Sequence, residues 1–423
     1  MTRHIGVIVF VVIGWLATAQ PLLAQQTSDL PPGWVTPTPL GLFAEPTAMK
    51  KLINATDGLV GDADARDGPY AELGHMITGA GWISAGPGYR THILQGRAVV
   101  DASATVSWNL YRVAQGRFEL PRLAHDRLAM GGQAMYQDVL QVDYFGVGNT
   151  SSEANESAYR FNNSDLLAYA TFRARPWLSV SARAGWIPQP TVSTATGLRH
   201  ITIPNTIDRF TESTAPGLSA PPPMTHGDVS VAADWRDHAS HPSRGGLYRA
   251  TVAAYSDRDT GLYSFRRYEV EASQFIPLNT PKWVVALHGW EVFSDTVDGH
   301  VVPFYLLPSL GGQNTLRGYT DYRFHDRDMQ NFNAESRWAI FGHLDAAAFV
   351  DVGKVASHAG DLDFRGLKRS YGAGLRVHNA TSTLARLDVG HSSEGWRVFF
   401  KMSDPFKRTT PAFGRSSVVP FVP

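Results

Sequence analysis

Apolar and polar residues alternate one by one along most of this chain, and this alternation is the strongest constraint on its fold. Within residues 228–236, Val229 and Val231 alternate with Asp228 and Ser230. The same pattern recurs in the segments 178–186, 385–389 and 396–402. Because successive side chains of a strand point to opposite sides of a sheet, the alternation predicts half-buried β-strands with one apolar face.

What the apolar faces contact separates two fold classes. In a soluble β-propeller or double sandwich they contact another sheet, whereas in a transmembrane barrel they contact lipid and the charged faces line the lumen. The alternation continues from about residue 73 to residue 406 without an evident domain break, which is long for a sandwich. Tryptophan or tyrosine recurs near the predicted strand ends, as the aromatic girdles of barrels require. These residues are Trp108, Tyr111, Tyr144, Trp177, Trp186, Trp235, Tyr255, Trp283, Trp338 and Trp396. The pattern favours the barrel.

The N-terminus predicts export. Arg3 and His4 precede an apolar run that begins at Ile5, and small residues follow, with Ala24 as the preferred cleavage site after the helix-breaking Pro21. The alternative is a single membrane anchor, because the uncharged run to Ala24 has 20 residues. We predict a cleaved signal peptide.

The chain is predicted to consist of four parts. They are a signal peptide (residues 1–24), a short periplasmic segment (25–70), an outer-membrane β-barrel (71–406) and a C-terminal tail (407–423). About fifteen segments are strand-like, and because bacterial barrels normally have even strand numbers we predict sixteen strands. The proline-rich stretch from Thr191 to Thr225 is predicted to be a surface loop.

Composition and local motifs argue against several functions. Lys+Arg and Asp+Glu both total 38, so the chain has no net field that favours nucleic acid. The glycine-rich segment Gly79–Gly88, expected in the first strand, lacks the Gly-Lys-Ser/Thr of a phosphate-binding loop. His238 and His241 have a spacing that suits a metal, but no motif supplies a third ligand, so we expect no metal. Without a G-x-S-x-G elbow beside Asp388 or His391, we expect neither an enzyme nor a cofactor.

One arginine in a long loop has plausible acidic partners downstream. The loop SLGGQNTLRGY (309–319) carries Arg317 as its only charge, and Glu335 and Asp351 follow in two alternating segments. Asp351 shares a face with Phe349, and a carboxylate among apolar neighbours needs a partner because burying an unpaired charge is costly. Arginine suits this position, because its planar fork binds carboxylates in a bidentate manner.

The order of these segments resembles the BamA/TamA-like outer-membrane assembly and translocation superfamily, also called the bacterial surface antigen family. The resemblance covers roughly residues 70–406 and rests on the LRGY loop, the strand with Glu335 and the strand with Asp351. Further similar motifs are DYFGVGN (Asp143–Asn149), DWRD (Asp234–Asp237) with the Gly245 turn, YGAGLRV (Tyr371–Val377), ARLDVGHS (Ala385–Ser392) and GWRVFFKMSDPF (Gly395–Phe406).

The resemblance implies an all-β fold, a transmembrane antiparallel β-barrel with a long loop folded into the lumen, and it assigns three groups of residues. The lumen lock comprises Arg317, Gly318, Tyr319, Glu335 and Asp351. The strand-and-turn signature comprises Asp234, Arg236, Asp237 and Gly245. The closing strand carries Trp396, Phe400 and Phe406.

The implied role is the insertion, translocation or anchoring of proteins at the outer membrane of a Gram-negative-type bacterium. The alternative is a passive channel or a structural barrel that handles no client. Residues 25–70 are too few for a POTRA domain, so we expect a barrel-only member. The expected partners are outer-membrane lipid and a protein client or periplasmic partner, with no nucleic acid, no small-molecule cofactor and no metal.

Overall fold

Almost all of the regular structure is antiparallel β-sheet. The computed structural model describes residues 41–51, 53, 67–73, 83–197, 202–278, 282–379, 383–402 and 404–406. These residues all belong to one compact unit that spans residues 39–423. The predicted signal peptide and the predicted tail (407–423) lie outside the described residues.

The described residues contain nineteen strands, which fall into a first and a second half. The first half is β1 (Gly68–Leu73), β2 (Ser84–Ile93), β3 (Ala98–Ser107), β4 (Arg112–Leu123), β5 (Leu128–Tyr144), β6 (Ser157–Arg175), β7 (Leu178–Ile187), β8 (Thr191–Thr194), β9 (Met224–Asp234) and β10 (Gly245–Asp257). The second half is β11 (Phe265–Pro277), β12 (Trp283–Thr296), β13 (Ser309–Leu310), β14 (Phe324–His325), β15 (Asp328–Phe341), β16 (Leu344–Ala356), β17 (Lys368–His378), β18 (Thr383–Ser392) and β19 (Gly395–Lys401).

Helices are short and few. One lies at residues 47–51, before the first strand, and α1 (Thr206–Arg209) lies between β8 and β9. Three 3₁₀ turns occur at Glu153–Asn155, Phe304–Leu306 and Ala359–Asp361. Among the helices of the described segments, none has the length and apolarity that crossing a membrane requires.

Sixteen strands, all except β8, β13 and β14, pair antiparallel with their neighbours in chain order from β1 to β19. The short strand β8 extends the line of β7 along β6, which gives a seventeen-stranded sheet. The strands β13 and β14 form a separate pair within the long loop. Across the described part of the chain no ladder joins β1 to β19. The predicted sixteen-stranded barrel architecture is confirmed.

The two faces of the sheet have reversed polarity compared with a soluble protein. On β16, Asp351 is fully buried whereas its neighbour Val350 is 53 % exposed. On β9, Asp228 is buried whereas Val229 is 53 % exposed. Charged residues are rarely buried in soluble proteins, and apolar surface is rarely exposed in rows. The exposed apolar face therefore meets lipid, and the buried polar face lines the lumen of a transmembrane β-barrel.

The aromatic residues near the strand ends divide between these two faces. Trp108, Trp177 and Trp396 are at least half exposed, as members of a girdle should be. Tyr111 and Tyr144 are instead buried in the interior, so their assignment to the girdle was wrong. The reason is that a strand-end position fixes the height of a side chain, whereas the pleat decides which face it occupies.

Long and short connections separate to opposite ends of the barrel. Loops 145–156, 188–223 and 297–327 lie at what we call the loop end, and short connections such as 94–97 and 342–343 lie at the turn end.

The segment Thr191–Thr225 is more structured than the predicted surface loop. It contains β8 and α1, and its buried residues Ala215 and Leu218 share an apolar cluster with Tyr144 and Phe304. It covers the lumen at the loop end because its apolar residues pack on aromatic side chains that point inward.

The beginning of the sheet differs from the expectation. The first strand starts at Gly68, three residues before the predicted boundary, and Ser84–Gly88 belong to the second strand. Residues 79–82 lie outside the described residues. The chain before β1 docks at the turn end, where the Leu42 amide donates to the Ala339 carbonyl (2.9 Å).

Candidate functional site: an arginine lock in the lumen

The loop that carries Arg317 is closed by its own backbone. Gly311 and Gly312 adopt positive φ values of 123° and 83°, which glycine tolerates best. The Thr315 hydroxyl donates to the Gly311 carbonyl and accepts from the Gly311 amide, both at 2.9 Å. The Gly312 amide donates to the Tyr319 carbonyl at 3.1 Å. This closed loop fixes the backbone from which the Arg317 side chain projects.

Arg317 is buried in the lumen between two wall carboxylates. Its Nε and Nη2 donate to Asp351 at 3.0 and 2.8 Å, and its backbone amide also donates to Asp351 at 3.0 Å. Its Nη1 donates to Glu335 at 2.5 Å, and the guanidinium lies 3.6 Å from the centre of the Phe349 ring. The structure thus places all three charged residues of the predicted lumen lock in direct contact.

The loop backbone rests directly against the wall. A Cβ atom added at Gly390 of β18 would lie 1.8 Å from the Arg317 carbonyl oxygen, so only glycine permits this approach. A Cβ atom added at Gly318 would lie 2.7 Å from the Cβ atom of Ser370 on β17. The Ser392 hydroxyl donates to the Gly318 carbonyl at 2.7 Å. Close packing and hydrogen bonds therefore hold the loop in addition to the ion pairs.

Further arginines extend the lock to β17 and β18. Arg376 donates to Glu335 at 2.8 Å and pairs with Asp388 at 2.6 Å. Arg386 donates to Asp388 at 2.6 Å and to the Gln313 carbonyl of the loop at 2.9 Å. The wall thus contacts the loop through a second arginine, whose charge is balanced by Asp388.

The charges of this network balance. Its four guanidinium groups belong to Arg317, Arg337, Arg376 and Arg386, and its four carboxylates belong to Glu335, Asp351, Asp388 and Asp404. Since every member is buried, removal of one partner leaves a charge in a poorly solvated position.

Sequence reasoning missed three members of the network and one contact surface. Arg376 and Asp388 lie in the two penultimate-strand motifs, as do Arg386 and Gly390, but no lock role was assigned to them. An available signal was the i, i+2 spacing of Arg386 and Asp388, which places both side chains on one face of the strand. Their contact with the loop depends on barrel curvature, which the local spacing does not contain.

The predicted strand-and-turn signature builds the turn between β9 and β10. Arg236 binds Asp234 through two hydrogen bonds of 2.8 and 2.7 Å. Asp237 accepts hydrogen bonds from the Ser243 amide (2.9 Å) and from other donors of the turn. Gly245 has a φ of +94°, and a Cβ atom there would lie 2.3 Å from a backbone oxygen. These four residues shape a turn-end connection.

The predicted closing strand is shorter than expected. Trp396 is exposed and Phe400 is half-buried on β19, but β19 ends at Lys401. Phe406 is buried and stacks on His288 with 5.1 Å between the ring centres. Its assignment to the strand was wrong, because the chain turns inward before Phe406 reaches the lipid face.

A charged residue anchors this inward turn. Asp404 pairs with Arg337 at 3.1 Å and accepts a hydrogen bond from the Phe406 amide at 2.9 Å. Phe406 also packs with Phe275 and Val284. The C-terminal end of the described chain thus occupies the lumen near the turn end.

Comparisons with known proteins agree with this geometry. A family model of the Omp85 superfamily domain matches residues 94–392. This chain belongs to the Omp85 superfamily. The membership in the BamA/TamA-like superfamily that the motifs predict is therefore confirmed. No significant match to a curated protein sequence was found.

Two solved structures illustrate the Omp85 fold. BamA from Haemophilus ducreyi lacking POTRA domains 1–3 is similar with a TM-score of 0.57 and 17% identity, over 80% of this chain and 70% of that chain. CdiB from Escherichia coli is similar with a TM-score of 0.51 and 13% identity, over 79% of this chain and 62% of that chain. This chain thus spans less than two thirds of CdiB, and at these identities the likeness concerns the fold.

Proposed function

We propose that this Omp85-superfamily barrel inserts, translocates or anchors proteins at the outer membrane. The observation that carries the proposal is the loop 309–319, which is bound inside the lumen through Arg317, Glu335 and Asp351. In this proposal the role is non-catalytic, and the buried charges serve to hold a movable loop against the wall.

Client handling requires that the lumen or the wall change from the described state. The loop-end cover and the docked loop both occupy the lumen, so a polypeptide needs their displacement or an opening between strands. The terminal strands β1 and β19 have only six and seven residues, which makes their junction the weakest place in the wall. We propose that clients act at this junction and that release of Arg317 accompanies its opening.

The proposed location is the outer membrane, with the turn end facing the periplasm. The exposed apolar face supports contact with lipid, and both described chain ends lie at the turn end, where a periplasmic partner has access. Removal of residues 1–24 belongs to this proposal. N-terminal sequencing of protein isolated from outer membranes should find Gln25 first, and an intact Met1 would contradict cleavage.

A deletion strain tests the function. Quantitative proteomics of its outer membrane and secreted fraction should show selective loss of particular proteins, restored by the wild-type gene. An unchanged proteome, combined with steady ion conductance of the purified barrel in planar bilayers, would support the passive channel instead. Arg97→Ala, in an exposed turn at 94–97, is a suitable control for variants of Arg317.

A further inference from the structure

Three residues from separate parts of the chain meet at the turn end. His241 lies in the turn between β9 and β10, Asp345 lies near the start of β16, and His378 is the last residue of β17. His241 Nε2 lies 3.4 Å from one oxygen of Asp345, and His378 Nε2 lies 3.2 Å from the other. Asp345 and His378 are buried, and the His241 side chain is 14% exposed. The potential ligand atoms all lie within 4.8 Å of one another.

The hydrogen bonds of His378 determine where its protons lie. Its Nδ1 lies 3.0 Å from the backbone carbonyl oxygen of Asn379. A carbonyl oxygen only accepts, so Nδ1 carries a proton. In the neutral ring, the lone pair of Nε2 then faces an Asp345 oxygen, which is also an acceptor. Two acceptors in contact repel each other, and the arrangement requires a positive species between them.

The second histidine limits what that species is. The His241 and His378 rings stack with centres 3.9 Å apart and planes at 13°. Protonation of both rings would bring two positive charges into contact, so two imidazolium ions do not explain the arrangement. One cation shared by both Nε2 atoms and the carboxylate satisfies all three ligands.

The distances fit a transition metal. Bonds of about 2.0–2.1 Å at tetrahedral angles place ligand atoms about 3.3 Å apart. The two distances from Nε2 atoms to carboxylate oxygens, 3.2 and 3.4 Å, agree with this value. The Nδ1 atoms are also held, that of His378 by Asn379 and that of His241 by the Thr383 hydroxyl at 3.0 Å, as is usual for metal-binding histidines.

We propose that His241, Asp345 and His378 bind one Zn²⁺-class divalent metal ion, with a water molecule at the fourth position. Such an ion would fasten the β9–β10 turn to β16 and β17 across the turn-end opening. The neighbouring His343 is held by Glu45 of the segment before β1 at 2.7 Å, so the site lies beside the docked N-terminal segment. The proposal does not depend on the protein being an assembly factor.

Sequence spacing alone suggested a different pair. His238 and His241 lie three residues apart, but His238 is exposed and is not a member of the cluster. His238→Ala is therefore a matched control for His241→Ala, since both residues lie in the same turn.

The test uses the folded full-length barrel in detergent, stripped with a chelator and titrated with Zn²⁺ in a calorimeter. We expect one site, and tetrahedral Co²⁺ absorption when Co²⁺ replaces Zn²⁺. His241→Ala and Asp345→Asn should each weaken binding by more than the roughly 10–100-fold seen when an outer-shell partner is lost, whereas His238→Ala should bind like the wild type.

A stability measurement separates binding here from binding elsewhere. Zn²⁺ should raise the urea midpoint of the wild type and of His238→Ala but not that of His241→Ala. Equal affinity in all variants, or no Zn²⁺-dependent shift in the wild type, would overturn the proposal. A midpoint that responds to pH but not to Zn²⁺ would also overturn it, because one proton would then supply the positive charge.

Discussion

Replacement of Arg317 by alanine tests how the loop is held. The change removes three side-chain hydrogen bonds to carboxylates and the contact with Phe349. The two acids are affected unequally. Glu335 keeps Arg376 and Arg337, whereas Asp351 keeps only the neutral donors of its surroundings.

The size of the effect follows from this inequality. Breaking a buried ion pair by removing one partner costs about 3–5 kcal/mol, most of it from the charge left behind. We therefore expect Arg317→Ala to destabilise the docked loop by about this amount, and Asp351→Asn to recover part of the loss when combined with it. The coupling of Arg317 with Asp351 should exceed its coupling with Glu335, within the usual 0.5–3 kcal/mol.

The assay is a double-mutant cycle on the folded barrel. Urea midpoints, heat-dependent gel mobility and protease cleavage within residues 309–319 are measured for the wild type, Arg317→Ala, Asp351→Asn and the double variant, and then for the Glu335→Gln series. Arg97→Ala, an exposed turn residue, is the control. Wild-type protease resistance of Arg317→Ala, or equal coupling to both acids, would refute the reasoning.

Three other changes probe the wall, the loop contact and pH dependence. Val350→Arg on the exposed face of β16 should cost about 2–4 kcal/mol of folding into lipid vesicles, whereas Val297→Arg in an exposed loop should cost little; equal folding yields would contradict the lipid-facing assignment. Gly390→Ala should increase protease cleavage of the loop, whereas Gly116→Ala, where a Cβ atom meets no atom within 4 Å, should not; equal cleavage would argue against the close contact. Burial, and then a neighbouring arginine, lower the pKa of His325 to about 3, so its stabilising contribution is complete above its unfolded pKa of about 6.5 and is lost as the pH falls toward 3. Loop cleavage should therefore rise between pH 7 and pH 4 in the wild type and less in His325→Gln; identical pH profiles would contradict this.

Local periodicity predicted much of the fold. Because a strand alternates with a period of two, the sequence alone placed Asp351 on the same face as Phe349, and both are buried in the lumen. The same reasoning failed for Tyr144, which lies at a strand end but points inward, and for Phe406, which follows the end of β19. Turn geometry decides both positions, and an alternation pattern contains no information about it.

Contacts between distant strands were the least accessible to sequence reasoning. Arg317 and its two acids were grouped through the resemblance to a family, whereas Arg376 needed the position of β17 relative to β15. The meeting of His241 and His378 likewise depends on a turn that folds over to reach other strands. No pattern of spacing along the chain determines such distances.

The central claim is that the Arg317 loop lies inside the lumen against β17, and a disulfide tests it most directly. The chain has no cysteine, so Gly318→Cys with Ser370→Cys introduces a single pair. The two Cβ positions lie 2.7 Å apart, and a separation of about 1 Å more brings them to the disulfide range. We predict that oxidation of outer membranes cross-links the pair nearly completely and makes gel mobility depend on reductant. Two free thiols that both react with a membrane-impermeant maleimide, and no cross-link, would contradict the account.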